Sequence, residues 1–102
     1  MRGSGRTFRQ ALIIVERCSG KPRQDIAWLF AHRATVENAI HTVGDIIQPI
    51  VPFARVDPGK HRVVFENGSV IWFLTSGEVQ DRMRMAGRRF TDVYEDSSYN
   101  GH

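Results

Sequence analysis

Cysteine is almost missing from this chain; Cys18 is the only one. No internal disulfide can form, a zinc site built on cysteines is excluded, and a reducing, cytoplasmic setting is the natural expectation. Long apolar runs are missing too. None approaches the ~20 residues that cross a bilayer, so no membrane partner is expected. The arginines near the start lead into no apolar stretch ending in a cleavage site, and no secretory signal is expected. Repeats, low-complexity tracts and linkers are lacking, which makes residues 1–102 one domain with one modest core. Histidine is sparse, and His41, His61 and His102 show no metal-ligand spacing. Charge of one sign is in slight excess only. A net charge of +3 and an isoelectric point near 9.6 lean weakly toward polyanionic partners such as nucleic acid or nucleotide.

What is present reads as alternating elements. Residues 7–18, TFRQALIIVERC, carry Phe8, Ala11, Leu12 and Val15 at helical spacing. In the following SGKP, Gly20 suits a left-handed cap and Pro22 stops the helix. DIAWLFAH, residues 25–32, is a continuous apolar run of strand length, as in a strand covered on both faces of a parallel sheet. Thr35 is placed to cap a second helix with Val36, Ile40, Val43 and Ile47 as its inward stripe, weakened by Gly44. QPIVPFARVDPGK, with Pro49, Pro52 and Pro58, reads as a loop. Two β-branched and aromatic runs around Asn67-Gly68 predict a tight hairpin, since both turn residues tolerate positive φ. A short basic helix, GEVQDRMRMAG, and a final strand, RRFTDVYED, complete the order.

That order bears on the glycine-rich start, RGSGRT. A phosphate-binding loop needs glycines to let backbone N–H groups approach phosphate, and a helix N-terminus to supply positive potential. It also needs a long cation for the terminal phosphates and a hydroxyl for Mg²⁺. Gly3 and Gly5, with Ser4 between them, then Arg6 and Thr7, meet that list. A carboxylate ending a later strand completes the metal shell, and Asp96, preceded by Glu95, ends such a strand. The same six residues also fit a frayed terminus, and Glu95-Asp96 also fits a solvated strand end.

On these motifs the chain resembles the central part of the ATPase domain of the large terminase subunit, the DNA-packaging motor of tailed bacteriophages. RGSGRT matches the end of that family's phosphate loop, and DIAWLFAH its second strand. FENGSVIWFLT matches the hairpin that precedes its acidic motif, and AGRRFTDVYED the lead into the acidic strand. The resemblance implies an α/β fold of the P-loop NTPase kind, with a mainly parallel sheet flanked by helices and an added β-hairpin. It implies that Gly3, Ser4, Gly5, Arg6 and Thr7 bind ATP, that Thr7 and Asp96 hold Mg²⁺, and a location in the host cytoplasm. It departs in three places. The family's first loop glycine and preceding strand would fall before Met1, and Ser97 stands where the family has its catalytic glutamate. The expectation is therefore an incomplete relative with little or no hydrolysis, in which Glu95 is the remaining candidate base.

A non-catalytic module that keeps only the scaffold and binds nucleic acid or another protein is the alternative. Its nucleic-acid surface would be Arg82, Arg84, Arg88 and Arg89, which equally suit a solvated face. Trp28 and Trp72 read as packing residues, His32 as a structural histidine with a ligand role as the alternative, and Cys18 as a buried thiol. A missing first strand would leave the second or acidic strand with an open edge. Ile26, Trp28, Leu29 and Phe30 would then be only partly covered, which predicts a homo-oligomer.

Overall fold

Five strands and two long helices form among the residues that the computed structural model describes: 4–75 (side chains from residue 8), 77–78 and 90–96. In chain order they are α1 (Ser4–Gly20), β1 (Asp25–Leu29), α2 (Arg33–Ile50), β2 (Arg55–Asp57), β3 (Arg62–Val64), β4 (Val70–Leu74) and β5 (Asp92–Glu95), with a 3-10 turn at Pro58–Lys60. The strands make one sheet in the order β2-β3-β4-β1-β5. β1 runs parallel to β4 and β5, whereas β3 is antiparallel to both β2 and β4. The domain is α/β, and its sheet is evenly mixed where a mainly parallel one is expected. The reason is β2, a three-residue strand that the proline-flanked loop conceals.

Register decides which side chains are covered. Ile26 and Trp28 of β1, Ile71 and Phe73 of β4 and Val63 of β3 share one face. Onto that face pack Ala11, Ile14, Val15 and Cys18 of α1 and Val36, Ile40, Val43 and Ile47 of α2, all buried. Trp28, Phe30 and Phe73 meet there at centroid separations of 5.3–5.8 Å, in the offset and tilted arrangements that aromatic rings favour. On the other face Ala27, Leu29 and Leu74 are buried, with Trp72 and Phe90 packed against them. β1 is thus covered on both faces, as its unbroken apolar run implies. It is also paired along both edges. Ile26, Trp28, Leu29 and Phe30 are at most 6% exposed, so the open apolar edge behind the expected homo-oligomer is not at β1.

Several boundaries move, each for a local reason. α2 begins after His32 and not at Thr35; the His32 carbonyl accepts the first helical bond, from Val36 N–H, without any side-chain cap. It also runs through Pro49 to Ile50. A proline in the last turn forfeits one N–H bond, and the Val51 N–H closes the end on the Ile47 carbonyl at 2.8 Å. Gly20 stays helical; the left-handed residue between α1 and β1 is Arg23, at φ 57°. In the hairpin only Gly68 has positive φ, at 90°. Its N–H donates to the Phe65 carbonyl, and the Phe65 N–H to the Ser69 carbonyl. That is a type I turn closed by a glycine bulge, not a two-residue turn.

The NGS segment has a second task. The Asn67 side-chain amide donates to the Cys18 carbonyl at 2.7 Å, and the Ser69 hydroxyl faces the Cys18 and Lys21 carbonyls at 3.1 and 3.0 Å. The Gln24 N–H donates to the same hydroxyl oxygen at 3.1 Å. The last carbonyls of a helix have no partner within it; here the hairpin supplies one from far along the chain. This anchors the C-terminal end of α1 to the start of β4. Among the described residues no helix is long and apolar enough to cross a membrane.

Candidate functional site

Three parallel strands end along one edge of the sheet. β1 and β4 are carried one step further by the Phe30 N–H on the Leu74 carbonyl, and β1 and β5 by the Asp96 N–H on the Leu29 carbonyl. The carboxyl edge of parallel strands is where α/β domains place ligands, because the loops there are free of ladder duties. α1 runs antiparallel to these strands. Its Cys18 end meets the start of β4, while Gln10 reaches Trp28 and the end of β5. The first turn of α1 therefore stands at the carboxyl edge, Ser4 about 9 Å beyond Gln10 along the helix axis. α2 starts at the same edge, directly after β1. Neither helix has an acidic residue in its first turn, so two positive dipole ends face one edge unneutralised by their own sequence.

Ser4, Gly5, Arg6 and Thr7 are the first four residues of α1. They lie in the helix itself, one turn earlier than the glycine-loop reading sets its start. Their backbone N–H groups are the ones that a helix leaves without internal partners. Gly3 lies outside the described residues, as do Arg82, Arg84, Arg88 and Arg89. Glu95 and Asp96 close β5 at the same edge as the start of α1. They differ in setting. Glu95 is exposed and in register with Leu29, which directs its side chain to the face away from both helices. Asp96 is only 8% exposed. A carboxyl group so enclosed has little freedom to turn. The candidate base thus points to the face opposite the two helices, and the buried Asp96 follows it at the same edge.

Other members of this edge have weaker sequence signals. Gln10 sits nearly two turns into α1 and joins three elements. Its Oε1 accepts from the Trp28 indole N–H at 3.0 Å, and its Nε2 donates to the Glu95 carbonyl at 3.0 Å. Nothing in the local pattern marks it. Thr75, just past β4, is bonded through both N–H and hydroxyl to Glu78 Oε1, at 3.0 and 3.1 Å. The Glu78 half of a capping box is thus present, legible in TSGE; Gly77 and Glu78 are helical, and the rest of the expected basic helix lies outside the described residues. His32 is exposed at the start of α2. Among the described residues no group of three or more His, Cys, Asp or Glu side chains could hold a metal ion. Cys18 lies at the opposite edge, buried, its thiol pushed up to about 12 by desolvation against a smaller opposing effect of Arg17. It is no nucleophile. No family model, curated protein or solved structure matches the chain.

Proposed function

We propose that the chain binds the phosphates of a nucleotide at the carboxyl edge of its sheet, as a relative of the phage packaging ATPase with little or no hydrolysis. The observation that carries this is a convergence: the start of α1, with no acidic residue in its first turn, and the enclosed Asp96 stand at one edge, although they lie at opposite ends of the chain. In this reading the N–H groups of Gly3, Ser4 and Gly5 donate to phosphate oxygens, and Arg6 neutralises the terminal phosphate. Mg²⁺ takes one or two carboxylates and completes its shell with phosphate oxygens and water. Thr7 and Asp96 form an oxygen donor set that suits that need. The ion, once bound, would draw charge off the phosphates. Hydrolysis also requires a base beside the attacking water. Ser97 has no carboxylate to offer, and Glu95 is directed to the far face, so turnover is expected to be negligible.

Titration calorimetry with Mg-ATP tests the reading. Heat with the wild type that is lost in Arg6→Ala and in Asp96→Asn, each still folded by circular dichroism, is the expected result. No heat at millimolar nucleotide removes phosphate binding from the account. If salt-sensitive retention of DNA then appears and is lost in Arg82→Glu/Arg84→Glu, the scaffold-only nucleic-acid module takes its place.

A further inference from the structure

Gln10 ties the first half of α1 to both β1 and β5 at the edge described above, the one side chain among the described residues to do so. Its amide has no freedom to turn over. An indole N–H can only donate and a backbone carbonyl can only accept, so Oε1 must face Trp28 and Nε2 must face Glu95. Trp28 is fully buried against Phe30 and Phe73, which makes it a rigid post for the amide. The Glu95 carbonyl belongs to the peptide that leads into Asp96, whose own N–H is fixed on the Leu29 carbonyl. At the other end, Thr7 is three residues before Gln10, just under one helical turn and about 4.5 Å along the axis. The amide is therefore a strut between the turn that carries Thr7 and the peptide that carries Asp96.

We propose that Gln10 is a positioning residue for the Mg-nucleotide site: its bond to the Glu95 carbonyl sets the spacing between the first turn of α1 and Asp96. This rests on the phosphate-binding reading above and adds to it the device that holds the two halves of the site in register. Gln10 touches neither phosphate nor metal ion; it acts through the backbone of β5. The α1 helix is already anchored at its other end by Asn67 and Ser69, so loss of the strut frees the site end of the helix without undocking the whole.

Two variants separate this role from simple packing. Trp28→Phe and Gln10→Met both remove the indole–amide bond, but only Gln10→Met releases the Glu95 carbonyl. Kd for ATP is measured by calorimetry with Mg²⁺ and with EDTA, and stability by urea unfolding. The expected result is similar stability loss in both variants. Mg-ATP binding should weaken about tenfold in Gln10→Met and less than about twofold in Trp28→Phe, the difference one hydrogen bond makes. The loss should shrink when Mg²⁺ is removed, because Asp96 acts through the ion. Should Gln10→Met not fold, Gln10→Glu keeps the Trp28 bond, loses the donor to Glu95, and must show the same Mg²⁺-dependent loss. Binding that is equal in wild type and Gln10 variants overturns the strut and leaves phosphate binding standing. A wild type that binds no nucleotide overturns both.

Discussion

The two edges of the sheet are built on opposite principles. At the amino edge, the carbonyls that end α1, the turn into β1 and the hairpin between β3 and β4 satisfy one another. Ser69, fully buried, joins Cys18, Lys21 and Gln24 through one hydroxyl. Only the Oε1 of Gln24 is buried there without a hydrogen-bond partner among the described residues. At the carboxyl edge, two helices begin with no acidic residue in the first turn, and the α2 cap makes no side-chain bond. Polar groups that satisfy each other stabilise a fold and have little left for a ligand; helix starts without an acidic residue in the first turn are what an anion can use. The amino edge is therefore read as structural and the carboxyl edge as the place of function, a contrast that can be broken by experiment.

The largest expected effect is chemical and falls at the amino edge. With its thiol pushed up to about 12 from 9.0, native Cys18 should hold roughly a thousandfold less thiolate below pH 9 than the unfolded chain. Labelling by a thiol reagent should be suppressed at least that far and appear at full rate in urea. The sign for stability follows from a folded pKa raised above the unfolded one. The contribution is complete below pH 9 and is lost as pH rises from 9 toward 12. Wild type should therefore lose stability over that window relative to Cys18→Ala. Fast native labelling would show that the amino edge opens and is not the rigid end.

Next in size is Ser69→Ala. It strips one hydroxyl from the two carbonyls and the N–H that face it, and a buried partner left unmet costs about 1–3 kcal/mol. Urea unfolding should show that loss with no change in Mg-ATP affinity per folded molecule. A fall in affinity of tenfold or more would mean that the two edges are coupled through α1. Gly68→Ala should cost less, about 1 kcal/mol, for placing a side chain at φ 90°. The Cβ would also sit 3.4 Å from the Arg23 side chain. Stability equal to wild type would show that the turn shifts to a conformation an L-residue tolerates.

How far sequence alone reveals these edges depends on where each signal resides. β1 is legible because burial on both faces leaves no polar alternation in DIAWL. The hairpin is legible because asparagine and glycine mark a turn, although its type is not; Asn67 contributes its amide's reach to the Cys18 carbonyl and has no positive φ. β2 is hidden, since three residues between two prolines show no period, and Val56 counts only once Gly44 is seen beneath it. A Cβ on Gly44 would lie 3.1 Å from Val56, so what reads as a weak point in a helix is a close approach between α2 and β2. The carboxyl edge is partly legible. Glu95-Asp96 and TSGE announce strand and helix ends, whereas Gln10 is a polar residue on an amphipathic helix whose partners are 18 and 85 residues away. No local pattern can encode a bond of that range.

The smallest expected effect completes the contrast from the carboxyl side. Arg33 and Glu37 form an i,i+4 pair in the first turns of α2, 4.0 Å apart, with side chains 71% and 59% exposed. Water and salt screen such a pair, and holding two long side chains together costs entropy, so its net worth is about 0–0.5 kcal/mol. Its order is also the weaker one, with the basic residue nearer the positive end of the helix. Glu37→Gln should therefore leave the urea midpoint within error. The variant also removes the negative charge that faces Arg33, raising the positive potential at the edge where the phosphate is proposed to bind. Mg-ATP affinity should hold or rise slightly, by no more than about twofold, and the rise should vanish in high salt. A clear loss of stability would show that the carboxyl edge uses its charges to hold the fold, as the amino edge uses its hydrogen bonds, and the division between the two would fail.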